Sequence, residues 1–158
     1  MKKILLSMLA VGMLSSTVTA SFAAEATDKT VKQRRAYYQV VLSSAGPLFG
    51  MLKGKVPYDA AKAQTFANNL KLVSQMKNGH LWPKGSDNAN PNLKGQTRAL
   101  PAIWAAGSDV GAKGKAWREA IAKLASVAGN GKDAMSAQMK VVGATCSACH
   151  KAYRAKDF

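Results

Sequence analysis

Five residues near the end of the chain carry the chemistry: Cys146-Ser147-Ala148-Cys149-His150. Two thiols three positions apart, followed at once by an imidazole, form C-x-x-C-H, the attachment signature of a c-type haem. Each thiol adds to one vinyl group of the porphyrin, and the imidazole must then meet the iron from the same side. On a helix turning about 100° per residue, positions 146, 149 and 150 fall at roughly 0°, 300° and 40°, so one face presents all three. Ser147 and Ala148 point away and are small, which lets the macrocycle approach. The motif therefore proposes one haem c, bound through Cys146 and Cys149, with His150 as the axial metal ligand.

Other chemistries compete for the same residues. A thioredoxin-like C-x-x-C opens a helix after a strand, whereas this one lies near the end of a helical pattern. A structural zinc site takes four ligands, and beyond these three the chain offers only His80. A plain disulfide leaves His150 without a role. Zinc and a redox dithiol stand as the alternatives to haem.

Four amphipathic segments must position the motif. Asp28 caps a helix from about Thr30, on which Val31, Arg34, Tyr38, Val41, Leu42 and Ala45 share a side. Gly46 and Pro47 disturb it, but Leu48, Phe49, Met51 and Leu52 carry the pattern on. After a break at 54–57, Asp59 caps a second helix with Ala60, Ala63, Phe66, Ala67, Leu70 and Val73 on its buried side, ended by Asn78-Gly79. Residues 78–101 read as a long loop, of the kind that in a small domain is functional or mobile. A third helix runs from about Asp109 to Ala128 and a fourth from about Lys132 to Tyr153, separated by Gly129-Asn130-Gly131. No strand pattern is seen, so the fold class is all-α: an antiparallel four-helix bundle with the haem near its C-terminal end.

The N-terminus reads as an address. Lys2 and Lys3 precede an apolar run from Ile4 to Leu14, and Ser21-Phe22-Ala23 fits a small-x-small cleavage site. Residues 1–23 are thus a signal peptide and 24–158 the haem domain, exported to the periplasm. The apolar run is shorter than the roughly 20 residues that span a bilayer, so no membrane span is expected. The chain has 23 basic and 8 acidic residues, a net charge of +15. Such a field attracts acidic redox proteins or anionic headgroups. An exported chain without a nucleic-acid motif makes nucleic acid an improbable partner.

With these residues in place, nearly the whole mature chain resembles cytochrome c', the class II c-type cytochromes. Thr30-Val31-Lys32-Gln33-Arg34-Arg35 is similar to the family's opening, with Arg35 where the family usually has Gln. Lys53-Gly54 and Pro57-Tyr58-Asp59-Ala60-Ala61 resemble its inter-helix segment. Leu81-Trp82-Pro83 and Pro101-Ala102-Ile103-Trp104 resemble its loop elements, and Val142 to Arg154 its haem-binding end. The resemblance implies nitric oxide binding, protection from nitric oxide, and homodimers through the first two helices. It also implies a distal place for Tyr38 and a proximal one for Arg154.

The sixth coordination position decides function. An electron-transfer haem fills it with Met or His, and low-spin relatives take a Met from the first helix. Here the positions expected to face the haem are Arg34, Arg35, Tyr38, Val41 and Leu42. Met51 lies thirteen residues beyond Tyr38, about 20 Å along a helix, too far to serve the same point; His80, in the long loop, is the remaining donor that could reach in. The expectation is a five-coordinate, high-spin iron in a crowded apolar pocket suited to nitric oxide and carbon monoxide. Arg34 and Arg35 are candidates to pair with the propionates, and Trp82 and Trp104 to pack around the haem edge. The alternative is a one-electron carrier docking acidic partners. With no distal His or acid to cleave a peroxide bond, no enzyme activity is assigned.

Overall fold

The structure, a computed structural model, describes the backbone of residues 16–158 and the side chains of residues 28–158. Most of the expected targeting segment, residues 1–15, lies outside the described residues. Four helices carry the fold: α1 (Ser16–Leu52), α2 (Ala60–Ser74), α3 (Val110–Val127) and α4 (Lys132–Tyr153). α1 packs on α2, α2 on α3, α3 on α4, and α4 returns to α1, which closes the four-helix bundle. Among the described residues the β-structure is one isolated bridge, between Ala99 and Arg154.

The core follows from apolar residues at helical spacing. Leu48 and Met51 of α1 meet Ala63, Ala67 and Leu70 of α2, Ile121 and Leu124 of α3, and Met135, Met139 and Val142 of α4. Small alanines on α2 let larger residues from its neighbours interdigitate. Truncating any of the fully buried Leu, Ile or Met residues to Ala would cost about 2–5 kcal/mol.

Helix ends show where local rules hold and where packing overrides them. Asp59 caps α2 as expected, accepting from the Lys62 N–H at 2.9 Å. Asp28 does not cap α1: the backbone is already helical upstream, and the carboxylate pairs with Lys32 one turn on, at 2.6 Å. α1 also runs through Pro47. An interior proline costs a hydrogen bond and about 3 kcal/mol, offset here by burial of Ala45, Leu48 and Met51 on either side. α2 stops at Ser74, short of Asn78-Gly79, because the Gln75 and Met76 N–H groups bond three residues back and tighten the last turn. Gly131 stands at φ +119°, a conformation side-chain-bearing residues avoid, and turns the chain from α3 into α4.

Residues 75–109 are ordered rather than loose. Three 3₁₀ turns, Gly79–Leu81, Pro91–Leu93 and Pro101–Trp104, punctuate them, and Leu81, Leu93, Ala99 and Ile103 are buried. This segment walls the end of the bundle where the C-x-x-C-H motif lies.

Candidate haem site

α4 is helical through the whole motif, so Cys146, Cys149 and His150 share the face that the spacing requires. Both cysteines are free and half-buried. They bridge two apolar clusters. Cys146 packs on the bundle core, while Cys149 packs on the smaller cluster of Ala99, Ile103 and Tyr153, joined by Trp82, Trp104 and Val110. Burial pushes both thiols above their ordinary pKa, so both are protonated at neutral pH. His150 reaches solvent, yet partial burial of its ring, and then the Arg98 charge, hold its pKa below the usual value. Its imidazole is therefore neutral at pH 7, the form that ligates a metal.

The facing wall comes from α1 and the loop. Tyr38 meets Tyr37 edge-on at 5.0 Å and Trp82 edge-on at 6.3 Å, and Trp82 lies 6.4 Å from Trp104. The Trp104 indole donates to the Trp82 carbonyl at 3.0 Å, which locks the two loop tryptophans together. The buried line of α1 passes through Tyr37, 6% exposed, and leaves Tyr38 at 39% and Leu42 at 54%. Tyr38 thus lies beside the bundle core rather than in it, with its ring covered by Tyr37 and Trp82 and near Cys146 and Cys149, while Leu42 is exposed. Burial, reinforced by Tyr37 and the two cysteines, pushes the Tyr38 phenol up to about 12. Met51 is core, 3% exposed, and His80 is exposed on the first 3₁₀ turn.

The arginines divide. Arg34 is 4% exposed and its guanidinium donates to the Ser86 hydroxyl (2.9 Å), the Ser86 carbonyl (2.8 Å), Thr97 Oγ1 (2.9 Å) and the Leu81 carbonyl (3.4 Å). It is no solvated surface residue. Arg35 is exposed and reaches the Gln96 carbonyl at 3.4 Å. Arg154 Nη1 approaches His150 Nδ1 at 3.5 Å, on the His150 side of the cleft.

Two groups here escaped the sequence reading. The Tyr153 hydroxyl donates to Asp109 at 2.5 Å and accepts from the Asp109 N–H at 2.9 Å, tying the end of α4 to the start of α3. Arg98 binds the C-terminal tail. Its carbonyl accepts from the Ala155 N–H at 2.8 Å, its side chain donates to the Lys156 carbonyl at 2.9 Å, and the Phe158 ring lies between Arg98 and Arg35. Asp109 and Arg98 carry no motif, and partners 44 to 60 residues away leave no local pattern.

The donor set suits a haem held by two thioether bonds: two free thiols and a neutral imidazole on one helix face, opposite an aromatic and apolar wall. Cys146 and Cys149 would hold the group and His150 would ligate its iron. When bound, haem supplies an iron that takes axial ligands and exchanges one electron. An antiparallel helical bundle that offers C-x-x-C-H from the last turns of its final helix defines the class of helical-bundle c-type cytochromes. The comparisons narrow it. The family model described as Cytochrome C' matches residues 29–154. A cytochrome c' of Cereibacter sphaeroides is 35% identical over 156 residues, 99% of each chain. A solved cytochrome c' from Rhodobacter spheriodes is 36% identical, with TM-score 0.77 over 82% of this chain and 98% of that one. A ferrous cytochrome c' variant of Alcaligenes xylosoxidans with bound NO is 30% identical, with TM-score 0.69 over 83% of this chain and 97% of that one. The chain belongs to the cytochrome c' family, and its cofactor is haem c.

Proposed function

We propose that this protein is an exported haem protein whose five-coordinate, high-spin iron binds nitric oxide and carbon monoxide, and that it scavenges nitric oxide. The observation that carries this reading is Tyr38. It stands on α1 opposite the motif, and burial keeps its phenol protonated to about 12, so it offers no tyrosinate. The helix supplies no Met or His at that level, and Met51 is committed to the core. A neutral ring beside the open position excludes anions and bulky ligands and yields to a small uncharged diatomic. The Alcaligenes xylosoxidans relative with bound NO supports the same assignment.

His150 would ligate the iron, Arg154 lies beside its ring at 3.5 Å, and Arg35, whose side chain is exposed, would be the arginine to meet a haem carboxylate. Trp82 and Trp104 close the loop side. The charged n-region and small-x-small site at 21–23 support export to the periplasm, and no helix among the described residues is long and apolar enough to cross a membrane. Exposed Val40 on α1, Leu72 on α2 and Met76 just past the end of α2 support a homodimer through the first two helices. The reading is one of binding without turnover.

The ferric and ferrous absorption spectra test it. A high-spin charge-transfer band, and a Soret band that shifts when NO is added, are expected. A sharp α band with a methionine–iron absorption in the far red would overturn it. That outcome belongs to the second reading, a one-electron carrier, which the net charge of +13 left once Lys2 and Lys3 are removed with the signal (21 basic against 8 acidic residues) favours through steering of acidic partners.

A further inference from the structure

We propose that Arg34 is a positioning residue that clamps the loop onto α1 and, through Trp82, sets how wide the ligand side of the haem cleft opens. The inference rests on the gas-binding reading above.

A buried cation is retained only where its donors are satisfied. The Arg34 acceptors are all neutral, and they come from three separate points of the loop: Leu81, Ser86 and Thr97. Two of the acceptors are themselves fixed. The Ser86 hydroxyl donates to the Pro83 carbonyl at 2.7 Å, and Thr97 Oγ1 accepts from the Ala99 N–H at 3.1 Å. The nearby Asp87 carboxylate contributes its field. Four of the five guanidinium N–H groups are engaged, so this side chain is built to hold protein rather than a propionate. Its task is mechanical.

The clamp reaches the cleft by one contact. The Arg34 guanidinium lies 4.3 Å over the Trp82 ring, and the far side of the rim is Tyr38, one turn along the same helix and 6.3 Å from that ring. Arg34 thus fixes both the height of the loop and the separation of the two rings that flank the entrance. Releasing it frees Trp82 to swing away from Tyr38 and widens the path to the iron.

The test uses holoprotein with Arg34→Gln and Arg34→Lys. Amide hydrogen exchange across 81–97 reads the clamp, and carbon monoxide recombination after flash photolysis reads the entrance. Arg34→Gln is expected to lose protection in 81–97 but not in α3, and to bind carbon monoxide several-fold faster. Arg34→Lys, which keeps charge without the fork, should rescue only part of both. In a Trp82→Ala background Arg34→Gln should add little further rate, since both act on one path. Unchanged exchange would overturn the clamp. Faster exchange with an unchanged rate would overturn the access role, and additive rates would overturn the route through Trp82. If Arg34→Gln fails to fold, the pair Ser86→Ala and Thr97→Val removes two acceptors and makes the same predictions. Wild-type protein that takes up no carbon monoxide refutes the gas-binding reading instead, while loop exchange still decides the clamp.

Discussion

Tyr38→Phe removes one hydroxyl and keeps the ring. In the wild type, burial, with Tyr37 and the two cysteines adding to it and Arg34 opposing, pushes the phenol up to about 12. Each pH unit is a factor of ten, so roughly one phenol in 10⁴ is ionised at about pH 8 and one in a hundred at about pH 10. Only the ionised form ligates iron well. The ferric spectra of wild type and Tyr38→Phe should therefore superpose from about pH 6 to about pH 10, and a change confined to the wild type should appear only as pH nears 12. Stability carries the same signature. The folded phenol holds its proton more tightly than the unfolded one, so its contribution is complete below about pH 10 and is lost as pH rises towards 12. Denaturant midpoints of the wild type should fall relative to Tyr38→Phe across that window. A wild-type spectral transition below about pH 9 that vanishes in Tyr38→Phe would refute the reasoning, since it would place a tyrosinate on the iron.

Three further outcomes are expected. Cys149→Ala should leave one thioether, so the haem stays with the chain on acid–organic extraction but the α band of its reduced pyridine haemochromogen shifts to the red. Full release of haem would refute attachment through Cys146. The Tyr58 hydroxyl donates to the Ala128 carbonyl at 2.9 Å and accepts from the Gly131 N–H at 3.1 Å, so Tyr58→Phe should lower stability by about 1–3 kcal/mol in chemical denaturation while the NO-bound spectrum is unchanged. The Asp109 carboxyl is held below its usual pKa first by the Tyr153 hydroxyl and then by Lys113. Its contribution is present above the unfolded pKa and lost as pH falls, so Asp109→Asn should show a shallower loss of stability below about pH 4; an identical acid limb would count against the Tyr153 contact.

Much of this was legible in the sequence because it is local. α4 runs from Lys132 to Tyr153 as its apolar spacing requires, and the glycines at 129 and 131 mark the turn before it. C-x-x-C-H sits on that helix face by spacing alone. What escaped was long-range. The protein partners of Arg34 could not be foreseen, because nothing in 30–35 announces that Ser86 and Thr97, 52 and 63 positions on, converge upon it. The phase of α1 slipped by one residue at Tyr37-Tyr38, where two identical side chains give periodicity nothing to choose between. Packing chose Tyr37, whose hydroxyl reaches the Val73 carbonyl of α2 at 3.2 Å.

The stitched tail bears on how the molecule is handled. The last five residues are tacked to the strand-like stretch at 98–100 and end on Phe158 between two guanidiniums. An affinity tag fused after Phe158 would start within reach of those cations, and an acidic one would compete with the aromatic ring for them. Purification handles therefore belong elsewhere, and a preparation cut back to Arg154 would show what the docked tail contributes to holding Arg98 and Arg35 in place.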